Sequence, residues 1–114
     1  MREILGYCDN AVRREVPKGT VLIKEGGKTG HLFILIEGQL EVLRGEAIVA
    51  VLSEPGAVTG EMSVLLDRPH TATVRTGANS TLFEIEDAAS FLKAQPAVAL
   101  LIARLLAQPQ VAAG

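Results

Sequence analysis

Pro55-Gly56-Ala57-Val58-Thr59-Gly60-Glu61-Met62-Ser63-Val64-Leu65-Leu66-Asp67-Arg68-Pro69-His70-Thr71 interrupts a chain that otherwise reads, through its middle, as short strands. Met62, Leu65 and Leu66 follow the i, i+3, i+4 spacing of a short helix over residues 61–66 with one buried face. A glycine immediately before a helix lets the backbone come close to a bound group. The amides of a first helical turn have no partner within the helix and favour an anion. Gly60 and the turn after it therefore have the attributes of a phosphate cradle. Glu61 beside a bound anion would be repelled, so its place predicts another hydrogen-bonding task, with a sugar hydroxyl as the natural donor. Pro69 fixes a turn that brings His70, Thr71 and their amides back towards the helix start as a second wall.

On both sides of this stretch the sequence is β-favouring. Segments 12–16, 20–25, 31–37, 39–44 and 46–52 precede it and end at turn clusters such as Pro17-Lys18-Gly19 and Gly26-Gly27-Lys28-Thr29-Gly30. Residues 39–44 and 47–52, joined through Gly45, form a hairpin pattern. After the interruption, Thr71-Ala72-Thr73-Val74-Arg75 alternates strictly, with Ala72 and Val74 on one face, and residues 81–86 make the last strand. Asp87 is a plausible N-cap for a helix over 88–94, and Pro96 suits the first turn of another over 97–107, which Pro109 stops. That last helix is apolar almost all round, so one face should cover the strands and another calls for a partner.

The 114 residues, 48% hydrophobic and 21% charged, suit one globular domain, 1–114, with strands over about 12–86 and carboxy-terminal helices over about 87–107. Eleven glycines and four aromatic residues imply tight turns and a core of Val, Leu, Ile and Ala. A net charge of −2 offers nothing to attract a nucleic acid polymer or an acidic membrane, so any anion site must be local. The single cysteine, Cys8, suits a reducing compartment, and the amino end lacks the pattern of a secretory signal. The longest apolar run, 97–107, is about half a bilayer span. Cytoplasmic location is the expectation.

Gly19, Gly26, Gly38, Pro55-Gly56 and, above all, Gly60-Glu61-Met62-Ser63-Val64-Leu65-Leu66 running to Pro69-His70-Thr71-Ala72-Thr73-Val74 resemble the cyclic nucleotide-binding domain. Catabolite-activator-type regulators, protein kinase regulatory subunits and cyclic-nucleotide-gated channels share that domain. The resemblance implies a mainly β fold with flanking helices: an eight-stranded antiparallel β-barrel (double-stranded β-helix, or jelly roll) with a short cassette helix and carboxy-terminal helices, the last a lid over the base. It implies a ligand site of Gly60, Glu61, Met62, Ser63, His70, Thr71 and Ala72. The ligand would be cAMP or cGMP, cAMP slightly favoured, with Glu61 on the ribose 2′-hydroxyl. The chain departs from the family at His70, where an arginine usually pairs with the cyclic phosphate. Loss of a charge-assisted hydrogen bond would weaken binding about tenfold to a hundredfold. A nearby phosphate would raise the pKa of His70 and make binding pH-dependent.

The resulting expectation is a regulatory sensor of a cyclic nucleotide, not an enzyme, with a homodimer through the carboxy-terminal helix as a possible assembly and a downstream effector unidentified. The alternative is a nucleotide-free interaction barrel of the same fold, in which His70 is a solvated loop residue. A jelly-roll metalloenzyme is disfavoured, because His31, His70 and Cys8 are too few for a metal cluster. Gly26-Gly27-Lys28-Thr29 lacks the first glycine of a P-loop, Leu22 standing in its place. Ser53, Ser63, Ser80 and Ser90 have no neighbouring base to activate them. Arg68 and Arg75 read as surface charges, and either is placed in the sequence to compensate for the absent arginine.

Overall fold

A computed structural model describes residues 2–8 and 11–106. Eight strands are present: β1 (Val12–Val16), β2 (Val21–Ile23), β3 (Leu32–Glu37), β4 (Leu40–Arg44), β5 (Ala47–Leu52), β6 (Val58–Thr59), β7 (Thr73–Thr76) and β8 (Ser80–Ile85). The helices are α1 (Glu61–Leu66), α2 (Ala88–Ala94) and α3 (Pro96–Leu106), with a 3-10 turn, Arg2–Tyr7, at the amino end. The strands form two four-stranded antiparallel sheets, ordered β1-β8-β3-β6 and β2-β7-β4-β5.

The hairpin expected around Gly45 is β4 and β5, paired from Leu40 with Leu52 to Arg44 with Ala47. The closed barrel is corrected to an open sandwich, since among the described residues no ladder joins one sheet to the other. The chain crosses between sheets from β1 to β2 through Pro17 and from β5 to β6 through Pro55, and proline has no N–H to give a ladder. The strands after those crossings are three and two residues long. β6 is steadied by Leu35 N–H on Ala57 O at 2.8 Å and Gly56 N–H on Leu35 O at 2.7 Å, which continue its ladder with β3 backwards into the turn.

Strand periodicity divides the core in two. Val16, Phe33, Leu35 and Leu82 of the first sheet meet Ile23, Leu40 and Val74 of the second, filling the space between the sheets. Leu32, Ile34 and Ile85 point the other way and pack under Ala88, Leu92, Val98 and Ile102 of α2 and α3. All of Leu32, Phe33, Ile34 and Leu35 are therefore buried, which is why β3 reads as an uninterrupted apolar run. The 3-10 turn, which has no periodic signal in the sequence, and the residue after it add Ile4 and Cys8 to this outer core, and the Cys8 thiol donates to Ile4 O at 3.4 Å.

Asp87 caps α2, accepting from Ser90 N–H at 3.1 Å. α3 buries Val98 and Ile102 one turn apart and leaves Leu100 half exposed. Its expected end at Ala107 and the stop at Pro109 lie outside the described residues. Among those described, no helix is long and apolar enough to cross a membrane.

Candidate ligand site

A cavity of about 280 Å³ opens where the inter-sheet core reaches α1. Its apolar floor is Ile23, Val42, Leu52 and Val74, one from each strand of the second sheet, and its other walls are residues 58–63 and 68–72. All seven expected site residues, Gly60, Glu61, Met62, Ser63, His70, Thr71 and Ala72, stand in this wall.

Gly60 is required twice over. Its φ of +92° is left-handed, and a Cβ there would lie 2.6 Å from His31 O. It delivers the chain into α1 with no side-chain cap, so the first-turn amides, on residues of the cavity wall, have no side-chain partner at the helix start. Glu61 is partly buried, and loss of hydration pushes its carboxyl above the usual carboxylate range, opposed in part by a hydrogen bond from its own amide.

The helix faces the opposite way from its apolar spacing. Met62, Leu65 and Leu66 are 48%, 42% and 49% exposed, and the buried residue of α1 is Ser63. The reason is an anchor: Ser63 Oγ donates to Arg68 O, and Arg68 N–H donates to Ser63 O at 3.1 Å. Asp67, left-handed at φ 51°, makes the turn between them and is held by Lys28 at 2.6 Å. With Ser63 drawn under the turn, Met62 and Leu66 are left at the cavity.

His70 is not a solvated loop residue. It is 6% exposed, its N–H donates to Gly27 O at 2.7 Å, and its carbonyl accepts from Gly26 N–H at 2.8 Å. The glycine turn and the cassette are thus stitched together by backbone bonds. The His70 ring nitrogen Nε2 lies 3.4 Å from Thr29 Oγ1. Burial, and secondly the nearby His31, lower its pKa below the ordinary histidine value, so without an anion the imidazole is neutral at neutral pH. His31 is paired through Nδ1 with Glu84 at 3.2 Å, and Glu84 also holds Arg14 at 2.6 Å.

Thr71 is exposed, Ala72 is half-buried, and both precede β7, in which Val74 and Thr76 turn inward. Arg75 is committed to Glu41 at 2.8 Å, whereas Arg68 stands in the cavity wall. No described residue of α3 lines the cavity in the ligand-free protein, where the described part of α3 packs on the outer core. Among the described residues no group of three or more His, Cys, Asp or Glu is placed to hold a metal. Thr59 is a polar wall residue that escaped the sequence reading. Its signal is a polar side chain in the β-favouring pair Val58-Thr59 directly before Gly60.

A family model described as "Cyclic nucleotide-binding domain" matches residues 13–94, and the chain belongs to that family. It is 37% identical over 67 residues to human cGMP-dependent protein kinase 2, covering 58% of this chain and 8% of the kinase. It is 36% identical over 70 residues to the cAMP-dependent protein kinase regulatory subunit of Mycosarcoma maydis, covering 58% of this chain and 13% of the subunit. The Thermus thermophilus catabolite activator protein superposes with a TM-score of 0.74 at 27% identity, over 92% of this chain and 51% of that one. The chain thus spans about a tenth of the length of the kinase proteins it matches.

Proposed function

We propose that this chain is a regulatory module that binds a cyclic nucleotide in the cavity between residues 60–63 and 70–72. The observation that carries the proposal is convergence. Two segments separated by the second half of α1 and its turn form one wall, with a glycine that admits no side chain at its edge and an apolar floor suited to a purine. In this arrangement the uncapped amides of residues 61–63 and the His70 side chain meet the cyclic phosphate, Glu61 accepts from the ribose 2′-hydroxyl, and Thr71 and Ala72 complete the second wall. Met62 and Leu66 cover one edge of the ligand.

Glu61 is tuned for such a task, because a carboxylate already stripped of water gains more from a hydroxyl donor than a hydrated one does. The role is regulatory and not catalytic. Of the two nucleotides, cAMP is slightly favoured over cGMP.

Calorimetric titration with cAMP and with cGMP tests the proposal. Saturable one-to-one binding of either is the expected result, accompanied by a rise in melting midpoint, since a ligand at one hundred times its Kd adds about 2.7 kcal/mol of stability. Absence of heat and of any shift at millimolar nucleotide would leave the chain a nucleotide-free interaction module.

A further inference from the structure

Thr59 occupies an unusual position for a hydroxyl. β6 alternates as a strand must: Val58 packs towards the helix-side core, so Thr59 faces the space between the sheets, on the same side as its cross-strand partner Phe33. Thr59 is 5% exposed, and its Oγ1 is shielded from water with no hydrogen-bond partner. It is the only buried side-chain nitrogen or oxygen in that condition among the described residues. It also stands in the cavity wall, next to Gly60 and among the apolar side chains of Ile23, Val42 and Val74.

A buried hydroxyl without a partner lowers stability, and valine would fill the same volume without that cost. Packing therefore gives no reason for threonine here. The hydration of the hydroxyl is already lost in the ligand-free protein, so a polar group arriving in the cavity gains a hydrogen bond without having to strip it. A χ1 rotation, which exchanges Oγ1 with the methyl group, is the only movement needed to present it.

We propose that Thr59 is a ligand-binding residue, whose hydroxyl takes a polar atom of the nucleotide at the floor of the cavity, beside Gly60 and Glu61. This rests on the nucleotide site proposed above and adds to it a contact particular to this chain.

The test compares wild type, T59V and T59S for the melting midpoint of the free protein and for the Kd of cAMP and cGMP. T59V is expected to melt at or above the wild-type midpoint yet bind roughly two- to tenfold more weakly, the worth of one hydrogen bond. T59S, which keeps the hydroxyl, should stay within about twofold of wild type. Repeating the titration with 2′-deoxy-cAMP assigns the contact: a T59V penalty that vanishes puts it on the ribose 2′-hydroxyl, and one that persists puts it on another polar atom of the nucleotide. T59V binding as tightly as wild type would overturn the inference and leave the nucleotide site standing. A T59V protein melting well below wild type would mark the hydroxyl as structural and overturn it too. Wild type that binds neither nucleotide removes the site and this contact together.

Discussion

Replacing His70 with arginine puts a permanent positive charge at the position assigned to the cyclic phosphate. His70 is 6% exposed, and burial and His31 keep its imidazole neutral at neutral pH in the free protein. Its contribution to a bound phosphate at pH 8 is thus that of a neutral donor, whereas a guanidinium forms charge-assisted, forked hydrogen bonds. The difference is about 1.5–3 kcal/mol net, or roughly tenfold to a hundredfold in Kd. The same charge must shed water inside a wall with an apolar floor, so H70R should melt several degrees below wild type. Calorimetry at pH 8 with cAMP and cGMP, alongside thermal melts with and without nucleotide, reads both effects. H70Q, an uncharged donor, should bind like wild type at that pH. A folded H70R protein whose affinity is equal to or weaker than wild type would refute the assignment of residue 70 to the phosphate.

Further outcomes follow from the same site. The folded-state pKa of His70 lies below the unfolded value of 6.5, so the unfolded chain takes up the proton first. The stability linked to neutral His70 is therefore full above about pH 6.5 and declines as pH falls, a decline that melts of H70Q should lack. A bound phosphate raises that pKa, so nucleotide affinity should increase towards acid, and a flat calorimetric profile from pH 8 to 6 would contradict it. Glu61 has the opposite sign: its pKa is raised above 4.5, so the associated stability is present below that value and lost as pH rises through the folded pKa. E61Q should melt higher than wild type at neutral pH while binding nucleotide about tenfold to a hundredfold more weakly, through loss of a charged acceptor. G60A should cost about 2–5 kcal/mol in urea unfolding, from left-handed strain plus the 2.6 Å approach to His31 O. G45A, at φ +59° with open space around its Cβ, should cost only about 1–2 kcal/mol, and equal losses would deny the close approach at Gly60.

The cassette was legible because its parts are local. Gly60 before a helical spacing and Pro69 before a strand specify a helix and a return, and all seven residues that the family resemblance implies do share one wall. The orientation of α1 was not legible, since Met62, Leu65 and Leu66 carry the apolar period while a single hydrogen-bonded serine, Ser63, decides which side is anchored. β6 was missed because two residues are too few to show alternation, and their strand character comes from pairing with Phe33 and Ile34, far away in sequence. The burial of His70 depends on backbone bonds to Gly26 and Gly27, which sequence spacing does not reveal. The open seams of the sandwich likewise arise from where Pro17 and Pro55 fall between strands, and the fold resemblance alone suggested closure.

Amide chemical shifts followed by NMR during titration with cAMP and cGMP test the central claim most directly. A nucleotide seated in the cassette should move the amides of residues 59–63 and 70–72 first and most, and leave the opposite end of the sandwich, around Asn79 and Ser80, nearly unchanged. Shifts centred on Asn79 and Ser80, or none with either nucleotide at millimolar concentration, would contradict it.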